Sequence, residues 1–175
     1  MAEATMTVSR EVTDTMLQSL TRDATNKIAA AVEDVVSEFF MAGGYGSLRM
    51  HMMSNEMIAK VFHSAARLMA IRAKAYADGK GAAVADLVEA HLFDLINRTM
   101  EKRTEHIAAG KLPFQDAELL CADLRHNLKR LKDAAIRELR NCPSDIQIGE
   151  SIRSRSKWLD AHRTRQRVVV AIERQ

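Results

Sequence analysis

Apolar residues recur at intervals of three and four along most of this chain, and that spacing keeps them on one face of an α-helix. The first stripe predicts a helix from about residue 5 or 9 to 42. Later stripes predict helices over about 47–77, 82–109 and 113–140. The pattern after residue 143 is thinner, although 150–167 is typical of a further helix. Four to five long helices are therefore expected.

The helix-breaking residues support these boundaries. The chain has only two prolines and seven glycines, and all of them lie between the apolar stripes. Gly43, Gly44 and Gly46 predict a left-handed cap and a turn after the first helix. Pro113 suits the first turn of the fourth helix, where its missing N–H has no helical partner. The second helix is expected to be interrupted near Ser54, a residue suited to cap a new start.

The first stripe is unusually long. A helix of this length with a narrow apolar seam packs against another long helix, often from a second copy of the chain. We therefore expect an all-α fold, an elongated antiparallel bundle with a coiled-coil-like first helix, and a homo-oligomer. The expected seam consists of Leu17, Leu20, Ala24, Ile28, Ala31, Val35 and Phe39.

Composition agrees with this fold and narrows the setting. Aromatic residues make up 5% of the chain and there are ten methionines, a balance that helical bundles tolerate and sheets do not favour. No apolar run approaches a membrane span, and residues 1–12 carry no hydrophobic signal region. These features predict a cytoplasmic protein without a membrane partner, in which Cys121 and Cys142 are free thiols.

Charge is distributed unevenly. Residues 1–42 contain three basic and seven acidic residues, a net charge of −4, whereas residues 125–167 contain twelve basic and five acidic residues, a net charge of +7. We predict a helical bundle over 1–142 and a basic segment over 143–175 that packs on it or forms an arm. This asymmetry favours either a polyanionic partner or head-to-tail pairing of copies.

The basic segment is the first candidate site. Arginines bind phosphates through two parallel hydrogen bonds, and an indole stacks on a base. Asp160 is the only acid among residues 151–167. The alternative is a solvated helix face, or a helix that pairs with the acidic first helix of a neighbour. The candidate nucleic-acid-binding residues are Arg153, Arg155, Lys157, Trp158, Arg163, Arg165 and Arg167.

His126 is the second candidate. Leu124 and Leu128 belong to the apolar seam of the fourth helix, so His126 between them is expected to point outward. An exposed imidazole followed by Lys129 suits phosphotransfer, since the ring nitrogen accepts a phosphoryl group and the lysine steadies its charge. The alternative is an ordinary surface histidine, and Arg130 stands where close access by a partner favours glycine.

The remaining patterns favour packing over chemistry. His91 lies on the apolar face of the third helix with Asp94 one turn on, and it is expected to be a hydrogen-bonded core or interface histidine. The methionines at 50, 52 and 53 around His51 are interpreted as packing residues. No Glu is followed three residues later by His, as a di-iron bundle site requires. We assign no metal, no cofactor and no catalytic residue.

The sequence thus predicts a non-enzymatic oligomeric assembly or adaptor protein that engages nucleic acid through its basic segment. Small packaging, partition or regulatory proteins of phages and plasmids share this general build, which is an analogy of architecture alone. Two alternatives remain open. One is a histidine phosphotransfer-like signalling module that uses His126 and Lys129, and the other is a protein–protein scaffold or effector without nucleic acid.

Overall fold

Four long helices make up the described part of the chain. The computed structural model describes residues 2–77, 81–109 and 112–141, with side chains from residue 10 onward. These ranges lie in the first of two units into which the chain divides, Met1–Cys142. The helices are α1 (Ala2–Met41), α2 (Leu48–Tyr76), α3 (Gly81–Ala108) and α4 (Phe114–Asn141). The predicted all-α fold is confirmed, and the fifth predicted segment lies outside the described residues.

The glycine-rich turn ends α1 as expected. Gly43 adopts φ +72°, its N–H donates to the carbonyl of Phe40 at 3.1 Å, and the N–H of Gly44 donates to that of Phe39 at 2.8 Å. This pair of bonds around a left-handed residue is the Schellman motif, which satisfies the last carbonyls of a helix. Ser47 then caps α2, because its Oγ accepts a hydrogen bond from the N–H of Met50 at 3.2 Å.

The predicted interruption of α2 near Ser54 is wrong. The helix is continuous, and Ser54 is fully buried inside it. Its hydroxyl donates to the carbonyl of Met50 at 2.9 Å, one turn earlier on the same helix. A cap is not needed at this position, because the N–H groups that follow a residue inside a continuous helix already have carbonyl partners one turn earlier. The sequence signal at Ser54 therefore reflects a polar residue accommodated in the core.

The helices form an elongated bundle in which chain neighbours run antiparallel. α2 and α3 pack against each other in the middle, α1 lies against both of them, and α4 also lies against both. Within the described residues α1 and α4 share no close backbone approach. Helix α1, with 40 residues, is about 60 Å long. None of the described helices has the length and apolarity that crossing a bilayer requires.

The core follows the predicted stripes. On α1 the buried positions step by four and three in a coiled-coil-like seam, although Leu20, Ala31 and Phe39 are only half-buried. The start of α3 packs directly on the end of α4. A Cβ on Gly81 would overlap the carbonyl oxygen of Leu139 and lie 2.9 Å from its Cδ1. The fully or nearly buried members of the α1 seam are Thr13, Leu17, Thr21, Ala24, Ile28, Val32 and Val35.

Candidate functional site

A buried arginine near the end of α3 links three of the helices. Arg103 of α3 is 2% exposed. Its Nε donates to Oδ1 of Asn55 at 2.8 Å, and its Nη2 donates to the carbonyl oxygen of His51 at 2.9 Å and to Nδ1 of the same residue at 3.2 Å. Asn55 in turn donates to the carbonyl of Leu120 on α4 at 3.0 Å. One guanidinium therefore connects α3 with α2, and through Asn55 with α4.

All of the acceptors around Arg103 are neutral. No Asp or Glu forms an ion pair with it among the residues whose side chains are described. Burial lowers the pKa of Arg103 to about 10, and the nearby Cys121 opposes that shift. At neutral pH the guanidinium remains charged. The described part of the chain thus holds a cation in its interior without a counter-ion, an arrangement that is costly.

His51 stays neutral beside this cation. Burial lowers the pKa of His51 to about 4, and the positive charges of Arg103 and His106 add to the effect. Because Arg103 donates to Nδ1, that nitrogen is the acceptor and the proton of the neutral ring resides on Nε2, an assignment that follows from the hydrogen-bond network. Nε2 is buried and has no partner in the described residues.

A cleft between α1 and α3 leads to Arg103. Its volume is about 370 Å³. Thr99, one turn before Arg103, lines the cleft and is 4% exposed, and its Oγ1 has no hydrogen-bond partner in the described part of the chain. The other lining residues are Thr25, Ile28, Ala29, Val32, Glu33, Val36, Ile58, Arg98, Lys102 and His106.

A second buried cation lies on α4, and it is fully paired. Lys132 donates to Oε1 of Glu89 at 2.6 Å and lies 3.1 Å from Oδ1 of Asp133. Burial acts to lower the pKa of Lys132, but the bonds to Glu89 and Asp133 outweigh it and raise the pKa. Arg140 joins the same network through Asp86 at 2.9 Å and Glu89 at 3.3 Å. This network fastens α3 to α4.

His91 joins α3 to α1. The predicted role as a hydrogen-bonded interior histidine is consistent with its contacts, but the neighbouring Asp94 is not its partner. His91 Nε2 lies 2.8 Å from Oδ1 of Asp14, and its Nδ1 lies 3.4 Å from Oγ1 of Thr21. Asp94 instead pairs with Arg98 at 2.8 Å. The hydroxyl of Thr21 donates to the carbonyl of Leu17, so this Asp–His–Thr array lacks a free nucleophile.

The surface around His126 matches the sequence expectation in geometry. His126 and Lys129 are exposed on α4, while Leu124 and Leu128 are buried in the core. Arg125 lies with them along an open depression on the outer face of α4. The position gives a partner access to the imidazole, and the phosphotransfer role itself stays a prediction.

The candidate nucleic-acid-binding residues of the basic segment, from Arg153 to Arg167, lie outside the described residues. The methionines near residue 50 divide between environments: Met50 is buried, Met52 is exposed and His51 is engaged with Arg103. Within the described ranges, no three His, Cys, Asp or Glu side chains converge on a position that suits a metal ion.

Large apolar side chains are exposed where α1 turns into α2. Met41, Phe40 and Tyr45 are 85%, 67% and 64% exposed, and the rings of Phe40 and Tyr45 meet edge to face with centroids 6.0 Å apart. Leu48 and Met52 continue the apolar surface on the first turns of α2. We call these five residues the turn surface.

Sequence reasoning missed Arg103. The signal was present, because Arg103 continues the apolar register of α3 four residues after Thr99 and four before Ile107. A cation at a core position of a helix indicates either an ion pair or a binding site.

Comparisons of the chain with protein-family models, with curated proteins and with solved structures found no match.

Proposed function

We propose that this chain is a non-enzymatic assembly protein whose copies associate through the turn surface and which binds nucleic acid through its basic segment. The observation that carries the proposal is the exposure of Phe40, Met41 and Tyr45 on a turn whose backbone is fixed by the Schellman motif. Clustered exposed aromatic and methionine side chains are typical of protein interfaces. A rigid turn presents them without a large loss of conformational entropy on binding.

A second copy is the occupant that fits the turn surface best. Between residues 39 and 55 the only charged residue is Arg49, so two copies that face each other there bring no like charges together other than their two Arg49 side chains. A surface with a single cation is poorly suited to bind phosphates. Contact between identical patches around a two-fold axis gives a closed dimer, the commonest form of homo-oligomer.

The basic segment is the part of the chain that we propose binds nucleic acid. Within the basic segment, residues 151–167 contain six basic residues and one acid, with Trp158 among them. Such a segment gains affinity from phosphate contacts and from stacking on the indole. Oligomers would present several basic segments together, and linked copies bind a polyanion more tightly than one copy does.

Light scattering at several protein concentrations tests the association. We expect a dimer or higher oligomer for the native chain and a monomer for a Phe40→Ser, Met41→Ser double variant. Phe93→Ser is the matched control, since Phe93 is exposed on α3 away from the turn surface. A native chain that is monomeric at every concentration, or a double variant that associates like the control, contradicts the proposal.

Fluorescence titration with labelled single- and double-stranded oligonucleotides at increasing salt tests the proposed binding of nucleic acid. Binding is expected to weaken as salt rises, because each neutralised phosphate releases a counterion. Replacing Arg153, Arg155, Arg163 and Arg165 with glutamine should reduce the salt slope, whereas glutamine at the exposed Arg67 and Arg72 should not. An oligomer that fails to bind at low salt is instead a protein scaffold.

A specific observation also keeps the signalling alternative. His126 lies in an open depression flanked by the cations Arg125 and Lys129. If the chain is a phosphotransfer module, a low-molecular-weight phosphodonor labels it with an acid-labile phosphate, and His126→Gln removes the label. His63→Gln, at an exposed histidine of α2, is the control that should retain it. The absence of label on the native chain eliminates this function.

A further inference from the structure

We propose that the cleft between α1 and α3 binds a small organic monoanion, a carboxylate attached to an apolar body, with the carboxylate on Arg103. None of the described residues that line this cleft belongs to the turn surface. The inference therefore stands or fails independently of the assembly function.

The polar end of the site is already in place. A guanidinium carries five N–H donors, and the bonds to Asn55 and His51 occupy only Nε and Nη2. Nη1 forms no hydrogen bond to a described residue. Thr99 adds an unpaired hydroxyl one helical turn away on the same wall of the cleft. A threonine within a helix commonly bonds to the carbonyl four residues earlier, as Thr104 does to Met100 at 2.8 Å.

Aliphatic side chains from two other helices also line the cleft. Ile28, Val32 and Val36 line the cleft from α1, and Ile58 lines it from α2. A volume of about 370 Å³ falls in the range of small-molecule sites. Apolar walls that enclose a few convergent polar groups are the usual composition of such sites. An occupant must therefore combine an apolar body with one polar end.

The charges around the cleft select an anion of low charge. Among the described residues that line the cleft, Arg103 is the buried cation, and a carboxylate would supply the counter-ion that no described side chain provides. The planar guanidinium matches the two oxygens of a carboxylate. Lys102 lines the cleft with an exposed side chain and favours the approach of an anion, whereas Glu33 on α1 disfavours a multiply charged one.

A purely structural Arg103 is the competing explanation. In that case the guanidinium serves only to hold His51 and Asn55, and the cleft has no preference among small amphiphiles. Both explanations predict that removing Arg103 disturbs the fold, so an Arg103 variant does not distinguish them. They differ in the selectivity that they predict for ligands of the cleft. The decisive variants therefore change the cleft and leave the bonds of Arg103 to His51 and Asn55 intact.

Isothermal titration of the full chain with octanoate, below the concentration at which it forms micelles, tests the proposal. Octanol, octylamine and octyl phosphate provide neutral, cationic and more strongly anionic heads on the same body. We expect octanoate to bind most tightly, at least about tenfold more tightly than octanol, because only the anion gains from a buried cation. Equal affinity for octanol and octanoate, tighter binding of octyl phosphate, or no binding of octanoate overturns the assignment.

Two variants then locate the site. Thr99→Val removes the unpaired hydroxyl without changing the side-chain shape, and it should weaken octanoate about threefold to tenfold while leaving octanol unchanged. Val36→Trp fills the cleft and should abolish binding of both. Arg67→Gln, an exposed arginine of α2 outside the cleft, is the control and should bind as the native chain does. Undiminished octanoate binding by Val36→Trp contradicts the location.

Discussion

The two halves of α3 treat buried charge in opposite ways. Toward its start, Glu89 forms ion pairs with Lys132 and Arg140 of α4. Gly81, at the first position of α3, allows the helix to approach the carbonyl of Leu139 closely. Toward its end, Arg103 is more deeply buried than Lys132, 2% against 8% exposed, yet has only neutral acceptors. The pKa of Lys132 is raised and that of Arg103 is lowered to about 10.

This difference separates stability from binding. A buried cation that is paired within the chain fixes the position of two helices and leaves nothing for a ligand. A buried cation without a counter-ion adds an electrostatic cost to folding that a bound anion relieves. The first half of α3 therefore serves the fold, and the second half is where the molecule is able to gain from an external partner.

The largest expected effect comes from breaking the close approach at the start of α3. In Gly81→Ala the new methyl group meets the backbone of Leu139, which cannot rotate away as a flexible side chain would. We expect a loss of about 2 kcal/mol in the free energy of unfolding, measured by chemical denaturation. Ala82→Val, at the exposed neighbouring position, is the control. A loss no larger than the control's would show that α3 and α4 separate easily here.

Lys132→Met tests the paired half directly. The variant keeps the apolar stem but removes the ammonium between Glu89 and Asp133, leaving two carboxylates that only Arg140 partly compensates. A loss of about 1.5 kcal/mol in the free energy of unfolding is expected. Lys129→Met removes an exposed cation of the same helix and should change stability by less than about 0.5 kcal/mol. Equal effects of the two variants would mean that the paired network adds nothing to the fold.

His51, beside the unpaired Arg103, should make stability depend on pH in the acid range. Because the pKa of His51 falls from 6.5 to about 4 on folding, the unfolded chain binds the proton more readily between these values. Stability is therefore lost progressively as pH falls from 6.5 toward 4. Denaturation midpoints measured across that range should fall less steeply for His51→Gln than for the native chain. An unchanged slope in that variant, with the same slope in His63→Gln, would contradict the neutral state of His51.

Asn55→Asp should give Arg103 a carboxylate partner within the chain. The new carboxylate replaces the amide oxygen that lies 2.8 Å from Nε of Arg103. The lost bond to the carbonyl of Leu120 offsets part of the gain, so we expect a net stabilisation of about 0.5 kcal/mol at neutral pH. The nearby cation lowers the pKa of this carboxyl, so the gain is present above its unfolded pKa and is lost as pH falls through the folded value. The variant should also bind octanoate more weakly, as measured by calorimetry.

Much of the fold could be predicted from the sequence because helix ends are set locally. Glycine at residue 43 and proline at 113 act through their own backbone preferences, and each predicted helix end lies within one residue of the observed one. The start of α1 was predicted too late, since its first residues carry no apolar stripe. Ser54 gave a false signal for a helix start, because a serine whose hydroxyl bonds within its own helix looks the same in sequence as an N-cap.

The candidate site was harder to predict because it depends on contacts between helices. Arg103 continues the α3 register, but only the packed structure shows that its acceptors are neutral and that Thr99 beside it is unpaired. His91 illustrates the same limit. The sequence indicated an interior histidine, while the choice of Asp14 over Asp94 depends on how α1 aligns with α3.

The separation of α1 from α4 has a consequence for how the molecule opens. Each outer helix rests on the central pair and not on the other outer helix, so one can detach while the other keeps its contacts. Amide hydrogen exchange should then show two independent protection classes, with the α2–α3 pair exchanging last. An occupant of the α1–α3 cleft would slow exchange in α1 and leave the rate in α4 untouched.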